Sequence, residues 1–267
     1  MVETYADADD VEVAVAAARA GAAVVRRMYG RRLARIGKGA GDFATDADVE
    51  AEKAILDVIR TARPEDAVFG EESGRHGARE ARRRWLVDPL CGTVNYAVGN
   101  MIVAVNVALL GGAAAVADPF SHEVFYTDGV STRVRRDGAR DEQDAELTPT
   151  SATNLVDVNL DPPFPSEPGF RAVRLLAHPE FAGRFRPRVV STTLAVAWVA
   201  AGKRAGYVTD GDDLSRSVHF AAGIALCRAA GCVLTGIDGK PLGTNGRGLV
   251  VASDADTHGL LMSMLHG

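Results

Sequence analysis

The amino-acid sequence predicts a layered α/β protein, built as one large domain or two closely packed halves. Three observations carry this. Segments of helical periodicity alternate with short β-rich runs, which favours helices packed on sheets. Hydrophobic residues make up 47% of the 267, enough for a sizeable core. The stretch 140–168 is rich in Asp, Glu, Pro, Ser and Thr and marks a boundary, dividing the chain into halves at 1–145 and 146–267.

Val11, Ala14, Val15, Ala18, Ala22, Val25 and Met28 recur at helical spacing and predict an amphipathic helix over 9–36, weakened by Gly21. GKGAGD (37–42) is a glycine-rich break. Val49, Ala51, Ile55, Val58 and Ile59 predict a second helix from Asp46 to about Thr61, ended by Pro64. Short strands at 67–70 and 84–87 run directly into Glu71-Glu72-Ser73-Gly74 and Asp88-Pro89-Leu90-Cys91-Gly92-Thr93. Residues 101–110, 112–117, 123–127 and 130–136 read as strands, with a turn at 118–123. Beyond the boundary, strands at 155–159, 205–209, 232–235 and 248–251 alternate with helices near 169–176, 192–202, 217–231 and 254–265.

Charge narrows the function. The net charge is −5, which argues against a nucleic-acid partner, and the one dense basic run, Arg79 to Arg84, is short and contains a Glu. The N-terminus opens acidic and does not read as a signal peptide. No stretch approaches the ~20 uninterrupted apolar residues of a membrane span. A soluble cytoplasmic protein is expected, with a small-molecule substrate. The three cysteines, an odd count, suit a reducing compartment. Cys227 and Cys232 read as core residues, and His122, His178 and His258 lack evident partners.

The chemistry concentrates in three carboxylate clusters: Asp42/Asp46/Asp48, Glu71/Glu72 and Asp88. Carboxylates after a strand, followed by glycine and a helix start, can hold a hard cation against a phosphate. Gly92 permits close backbone approach, and Thr93 adds a hydroxyl.

In order, these pieces read K-G-x-G-D-x-x-T-x-x-D (Lys38 to Asp48), G-E-E-S-G (Gly70 to Gly74) and W-x-x-D-P-L-x-G-T-x-N-Y (Trp85 to Tyr96). A later segment, HFAAGIALCRAAGCVLTGIDGKPL (219–242), completes a pattern that resembles the inositol monophosphatase superfamily from about residue 9 to 265. The resemblance implies a layered α-β-α-β-α sandwich of the inositol monophosphatase/fructose-1,6-bisphosphatase type, commonly a homodimer. It implies that Glu71, Asp88 and the Leu90 carbonyl hold a first Mg²⁺. Thr93, oriented by Asp48, would help place the attacking water. The backbone at Gly92 and Thr93 would cradle phosphate, Lys38 would lie near the entrance, and Asp212 would contact substrate.

Two positions depart from the family pattern. D-P-L-D-G-T becomes Asp88-Pro89-Leu90-Cys91-Gly92-Thr93, and W-D-x-A-A-G becomes Val218-His219-Phe220-Ala221-Ala222-Gly223. Both lost aspartates serve the second metal, so Cys91 and His219 are expected to face each other. A thiol and an imidazole are poor Mg²⁺ ligands. The principal expectation is therefore a rebuilt site, with Cys91 and His219 carrying non-classical catalysis on a small polar metabolite, in specialised biosynthesis. The helix start after Cys91 is expected to lower the thiol pKa. Three alternatives stay open: a phosphatase of inositol, sugar or related phosphate monoesters with Mg²⁺ at one retained site; a Zn²⁺ site through Cys91, His219 and Asp88; and an inactive binding or scaffold homologue.

Overall fold

Asp9 opens the first helix by accepting a hydrogen bond from the backbone of Glu12 at 2.9 Å. The computed structural model describes residues 8–39, 42–136, 144–160, 171–244 and 246–267. Ala40 and Gly41, the first two residues of the helix predicted at 169–176 and part of the 140–168 stretch lie outside these. Helix α1 is Asp10–Met28, shorter than the predicted 9–36. It stops because Gly30 takes a left-handed φ of 74°. Strands β1 (Arg35–Gly39) and β2 (Asp42–Thr45) then pair antiparallel, where the sequence predicted the end of the helix and part of a glycine-rich break. Thr45 caps α2 (Asp46–Ala62) in a capping box with Asp48. Gly21, a weakness in a helix taken alone, serves the pair: a Cβ there would stand 2.7 Å from Ile55 Cδ1, so its absence lets α1 and α2 pack closely.

The next strands form one sheet: β3 (Ala67–Gly70), β4 (Gly74–His76), β5 (Arg84–Cys91), β6 (Ala104–Leu109), β7 (Ala114–Asp118), β8 (Glu123–Thr127), β9 (Thr132–Arg136) and β10 (Ala145–Glu146). A five-residue helix, α3 (Thr93–Ala97), sits between β5 and β6. The spatial order is β10-β9-β8-β7-β6-β5-β3-β4, and only β3 and β5 pair in parallel. Alternation along the strands divides the side chains. Trp85, Val87, Val105 and Val107 pack on α1 and α2, while Leu86, Ala104 and Ala108 point to the opposite face.

That opposite face is covered by α6 (Leu194–Ala200) and α7 (Ala221–Ala229), which also pack on a second sheet. Its strands, β11 (Leu155–Asn159), β12 (Arg186–Val189), β13 (Gly206–Thr209), β14 (Val233–Thr235) and β15 (Leu249–Ala252), lie in the order β12-β11-β13-β15-β14. The far side of this sheet packs on α4 (Arg171–Ala177), α5 (Phe181–Arg184) and α8 (Ala255–His266). Three apolar cores, the middle one reaching from the first sheet through α6 and α7 to the second, therefore join five layers, helix, sheet, helix, sheet, helix, in the predicted sandwich. Elements β4, α5 and β12 go beyond the sequence prediction; each has three or four residues, too few to show a period. Among the described residues, no helix is long and apolar enough to cross a membrane.

The close crossing at Gly21 gives a test. Gly21→Leu is expected to lower unfolding free energy by about 1–3 kcal/mol in urea denaturation. Shortening the neighbour with Ile55→Ala in that background should return part of the loss, a coupling absent if the two sites are independent.

Candidate active site

Helix α2 supplies two buried carboxylates one turn apart. Asp48, at its third position, accepts from the Thr45 N–H (2.8 Å) and hydroxyl (2.6 Å) on one oxygen. Its other oxygen accepts the Thr93 hydroxyl at 2.8 Å. The same hydroxyl lies 3.2 Å from the Leu90 carbonyl oxygen. Burial pushes the Asp48 pKa up, against the pull of these hydrogen bonds.

Glu52 lies four residues on, is 2% exposed, and grips the turn after β3. It accepts the Glu72 N–H on one oxygen and the Ser73 N–H on the other, both at 2.8 Å, and the Ser73 hydroxyl as well. Gly70 makes room for it: a Cβ there would fall 2.5 Å from the Glu52 carboxyl carbon. The turn so fixed presents Glu71 and Glu72, which the Lys38 ammonium on β1 bridges at 2.8 and 2.7 Å. Lys38 is thus on a strand, joined directly to the carboxylates.

Asp88 stands on β5 and is fully buried. One of its oxygens accepts the Leu90 N–H at 3.1 Å, and the other lies 2.7 Å from His219 Nδ1. Glu71 Oε2 is 3.9 Å from the same nitrogen. Burial and the charge of Asp88 push Glu71 up to about 9, against the pull of His219 and Lys38. Burial opposes charge on Asp88 too, but the His219 imidazole holds its pKa below the usual carboxylate value. Burial also opposes charge on His219, yet Asp88 and then Glu71 raise it from 6.5 to about 9.

Cys91, Asp88 and His219 each bring one polar atom within 4.8 Å of the other two. The arrangement is not that of a nucleophile and its base. His219 Nδ1 is bonded to Asp88, and the Cys91 sulfur accepts the Thr193 N–H at 3.3 Å. The thiol pKa is raised well above 9, chiefly by burial and then by Asp88, where the sequence predicted a lowering. The helix after Cys91 has only five residues, too short a dipole to overcome both effects.

Gly92 adopts φ 105° at the N-cap of α3, and a Cβ there would press on the Ser191 carbonyl at 3.1 Å. The fold thus brings Lys38, Asp48, Glu71, Asp88, Leu90, Cys91, Gly92, Thr93 and His219 to one end of the β3/β5 pair. It does not bring Asp212, whose side chain is 91% exposed and lies 3.5 Å from Arg247. Asp42 and Asp46 also stay outside. Asp46 binds the Ala34 N–H, and Asp42 bonds to the neighbouring Phe43 N–H. Glu52, Asn106 and Thr193 escaped sequence reasoning. Asn106 Nδ2, buried, donates to Thr193 Oγ1 at 2.9 Å and lies 3.5 Å from Asp88. Glu52 had a signal, an acid at i+4 from Asp48 within the apolar stripe Ala47, Ala51, Ile55, Ile59.

The donor sets decide which ions fit. Glu71, Asp88 and the Leu90 carbonyl are all oxygen donors, a partly buried and a fully buried carboxylate beside each other, which suits a hard divalent cation. Asp88, Cys91 and His219 offer one oxygen, one sulfur and one imidazole nitrogen already bonded to Asp88. That set does not fit Mg²⁺.

A family model described as the inositol monophosphatase family matches residues 7–266. The chain is 32% identical over 240 residues to the Nus factor SuhB of Salmonella typhimurium, covering 85% of each. It is 29% identical over 268 residues to the inositol-1-monophosphatase of Caulobacter vibrioides, covering 94% of this chain and 98% of that one. Among solved structures, the suppressor protein SuhB of Bartonella henselae is similar at a TM-score of 0.81 and 25% identity, covering 96% of this chain and 97% of that one.

The raised His219 pKa ties stability to pH with a definite sign. Its contribution is complete below 6.5 and is lost as pH rises through about 9. With chelator present, the stability difference between wild type and His219→Gln is expected to shrink across that window in denaturant titrations. NMR of the His219 ring should give a midpoint near 9, falling when Asp88→Asn removes the principal partner.

Proposed function

The chain belongs to the inositol monophosphatase family, and from that premise we propose that it is a metal-dependent hydrolase of small phosphate monoesters of inositol, sugars or related alcohols. One observation carries the reading: the Thr93 hydroxyl is held by buried Asp48 beside the Leu90 carbonyl, at the site where Glu71 and Asp88 converge. A Cys91–His219 acid–base pair gains no support from a thiol whose pKa is pushed up and whose sulfur accepts the Thr193 N–H, nor from an imidazole bonded to Asp88.

In this reading Glu71, Asp88 and the Leu90 carbonyl would hold a divalent cation such as Mg²⁺. Bound there, the ion would polarise the phosphoryl group and offset its charge. Side chains do the rest. Thr93 donates its proton to Asp48, which leaves an Oγ lone pair to accept from a water. As the water oxygen bonds to phosphorus and the ester P–O bond breaks, its proton passes to Thr93 and that of Thr93 to Asp48. The leaving alcohol oxygen takes a proton from solvent and Asp48 returns its own to solvent, so ester and water give alcohol and phosphate. His219 puts an N–H donor where the family pattern has a second carboxylate, and Lys38 restrains Glu71 and Glu72. A homodimer belongs to the same reading.

Phosphate release from myo-inositol 1-phosphate and sugar phosphates is the direct test. Activity is expected to need added Mg²⁺ and to vanish with chelator. Asp88→Asn should lower kcat/KM by at least about 10²-fold, as should Thr93→Ala, on the scale of losing a positioned polar group. Equal rates for wild type and Asp88→Asn would falsify the reading. Restoring the acids with Cys91→Asp plus His219→Asp should raise the rate above wild type; an unchanged rate removes the second position from the account. A second reading, a binding role without turnover, takes support from relatives named as Nus factors. It prevails if no ester is hydrolysed by wild type or by the restored double variant.

A further inference from the structure

Alternate residues of a strand share a face, and β5 therefore turns Arg84, Leu86 and Asp88 to the same side. On β3 the residues Ala67 and Phe69 pair with Arg84 and Leu86. Glu71 continues the row, its N–H bonded to the Val87 carbonyl at 3.0 Å. On β4, Arg75 stands opposite Phe69. One face of three adjacent strands thus carries acids at one end and Arg84 at the other, with Phe69, Leu86 and Arg75 in the row between. A pocket of about 250 Å³ lies at the arginine end. Phe69, Leu86 and Leu110 form its apolar wall, and Arg75, Arg84 and Arg216 its polar one. Arg216 ends a short 3₁₀ turn, Leu214–Arg216, three residues before His219, so one segment borders both the pocket and the acids.

Several features of this pocket need an occupant. Phe69 is 49% exposed although it lies in the middle of a β-strand. Neither the Arg84 nor the Arg216 guanidinium makes a hydrogen bond or ion pair with a described residue. In a chain of net charge −5, three guanidinium groups around one apolar pocket form a local exception. Guanidinium groups recognise carboxylates and phosphates through paired donors, and they also stack on flat rings. The volume is below the ~300 Å³ lower end for drug-sized ligands, which suits a single ring with an acidic group. Along a strand, two residues span ~7 Å, so the Arg84 row lies ~13 Å from the Asp88 row and the Leu86 row half as far.

We propose that this pocket seats the alcohol part of the substrate, and that this part is a ring bearing a second acidic group. The inference rests on the phosphate-ester reading and narrows its substrate class. The ester phosphate would lie at Glu71, Asp88 and Thr93, the ring against Phe69 and Leu86, and the acid between Arg84 and Arg216. The second anion binds and is not transformed; the bond broken remains the ester P–O bond.

The test compares phenyl phosphate with 4-carboxyphenyl phosphate, which adds the acid on a ring of the right size. Wild type is expected to favour the carboxylated ester in kcat/KM by about tenfold, the scale of one charged hydrogen-bonded pair, with the difference in KM. In Arg84→Ala/Arg216→Ala the ratio should fall to about one. Equal kcat/KM values in wild type, or a ratio that survives in the double variant, overturn the proposal while leaving the hydrolase reading intact. If no ester is cleaved, the hydrolase reading fails and calorimetry decides the pocket. Binding of 4-carboxyphenyl phosphate about tenfold weaker in the double variant upholds it, and equal binding overturns it. Sedimentation guards against another occupant. A changed oligomeric state with an unchanged ester ratio assigns the face to contact between copies, and the proposal falls.

Discussion

Two carboxylates on one helix, Asp48 and Glu52, set the geometry on which the site depends. Both are buried, and each is fully engaged: Asp48 with Thr45 and Thr93, Glu52 with the backbone of Glu72 and Ser73. A buried carboxylate is costly unless hydrogen bonds surround it, so each bond is held firmly by that cost. Through these bonds α2 fixes the turn after β3 and the turn after β5 relative to each other. Glu71 and Asp88 then meet because their strands pair in parallel with Gly70 opposite Val87, which places the next residue of each side by side. The helix itself is held by close packing on α1, which is why a glycine in the middle of α1 reaches as far as the acids.

Asp88 lies at the centre of the charge balance. It faces Glu71, Cys91 and His219 at once, and its charge raises the pKa of all three. The thiol becomes harder to ionise and the imidazole harder to deprotonate. Burial of the thiol adds to this and is the larger effect there, so two side chains that look like a nucleophile and base when read as letters both favour their protonated forms. The carboxylate they share separates their roles: His219 bonds to it, and Cys91 fills space beside it with its sulfur turned to the Thr193 backbone.

Much of this was legible in the sequence. Periodicity gave α1, α2, α7 and α8 and most strands, since each is long enough to repeat its pattern. The motif residues Lys38, Asp48, Glu71, Asp88, Leu90, Gly92 and Thr93 do come together in space. The parts that stayed hidden share a cause. Strands β1, β4 and β12 have three to five residues and none of them buried, so their side chains carry no burial signal. Glu52 and Asn106 act through backbone and neighbours that lie far along the chain. The direction of the Cys91 shift depends on burial and on one neighbouring charge, neither of which a helix start can report. Asp212 shows the reverse failure: spacing from His219 suggested a contact, but its side chain turns to solvent beside Arg247.

Gly70 and Glu52 occupy what is, in effect, one residue's worth of volume. The carboxylate stands where a side chain on the strand would otherwise be. Neither position can drift alone. A larger residue at 70 would evict the acid and free the turn that carries Glu71, and a shorter residue at 52 would leave a hole beneath a glycine unable to fill it. Sequence change at these two places is therefore tolerated only as a matched exchange. A designer reshaping this site would have to treat positions 52 and 70 as a single variable.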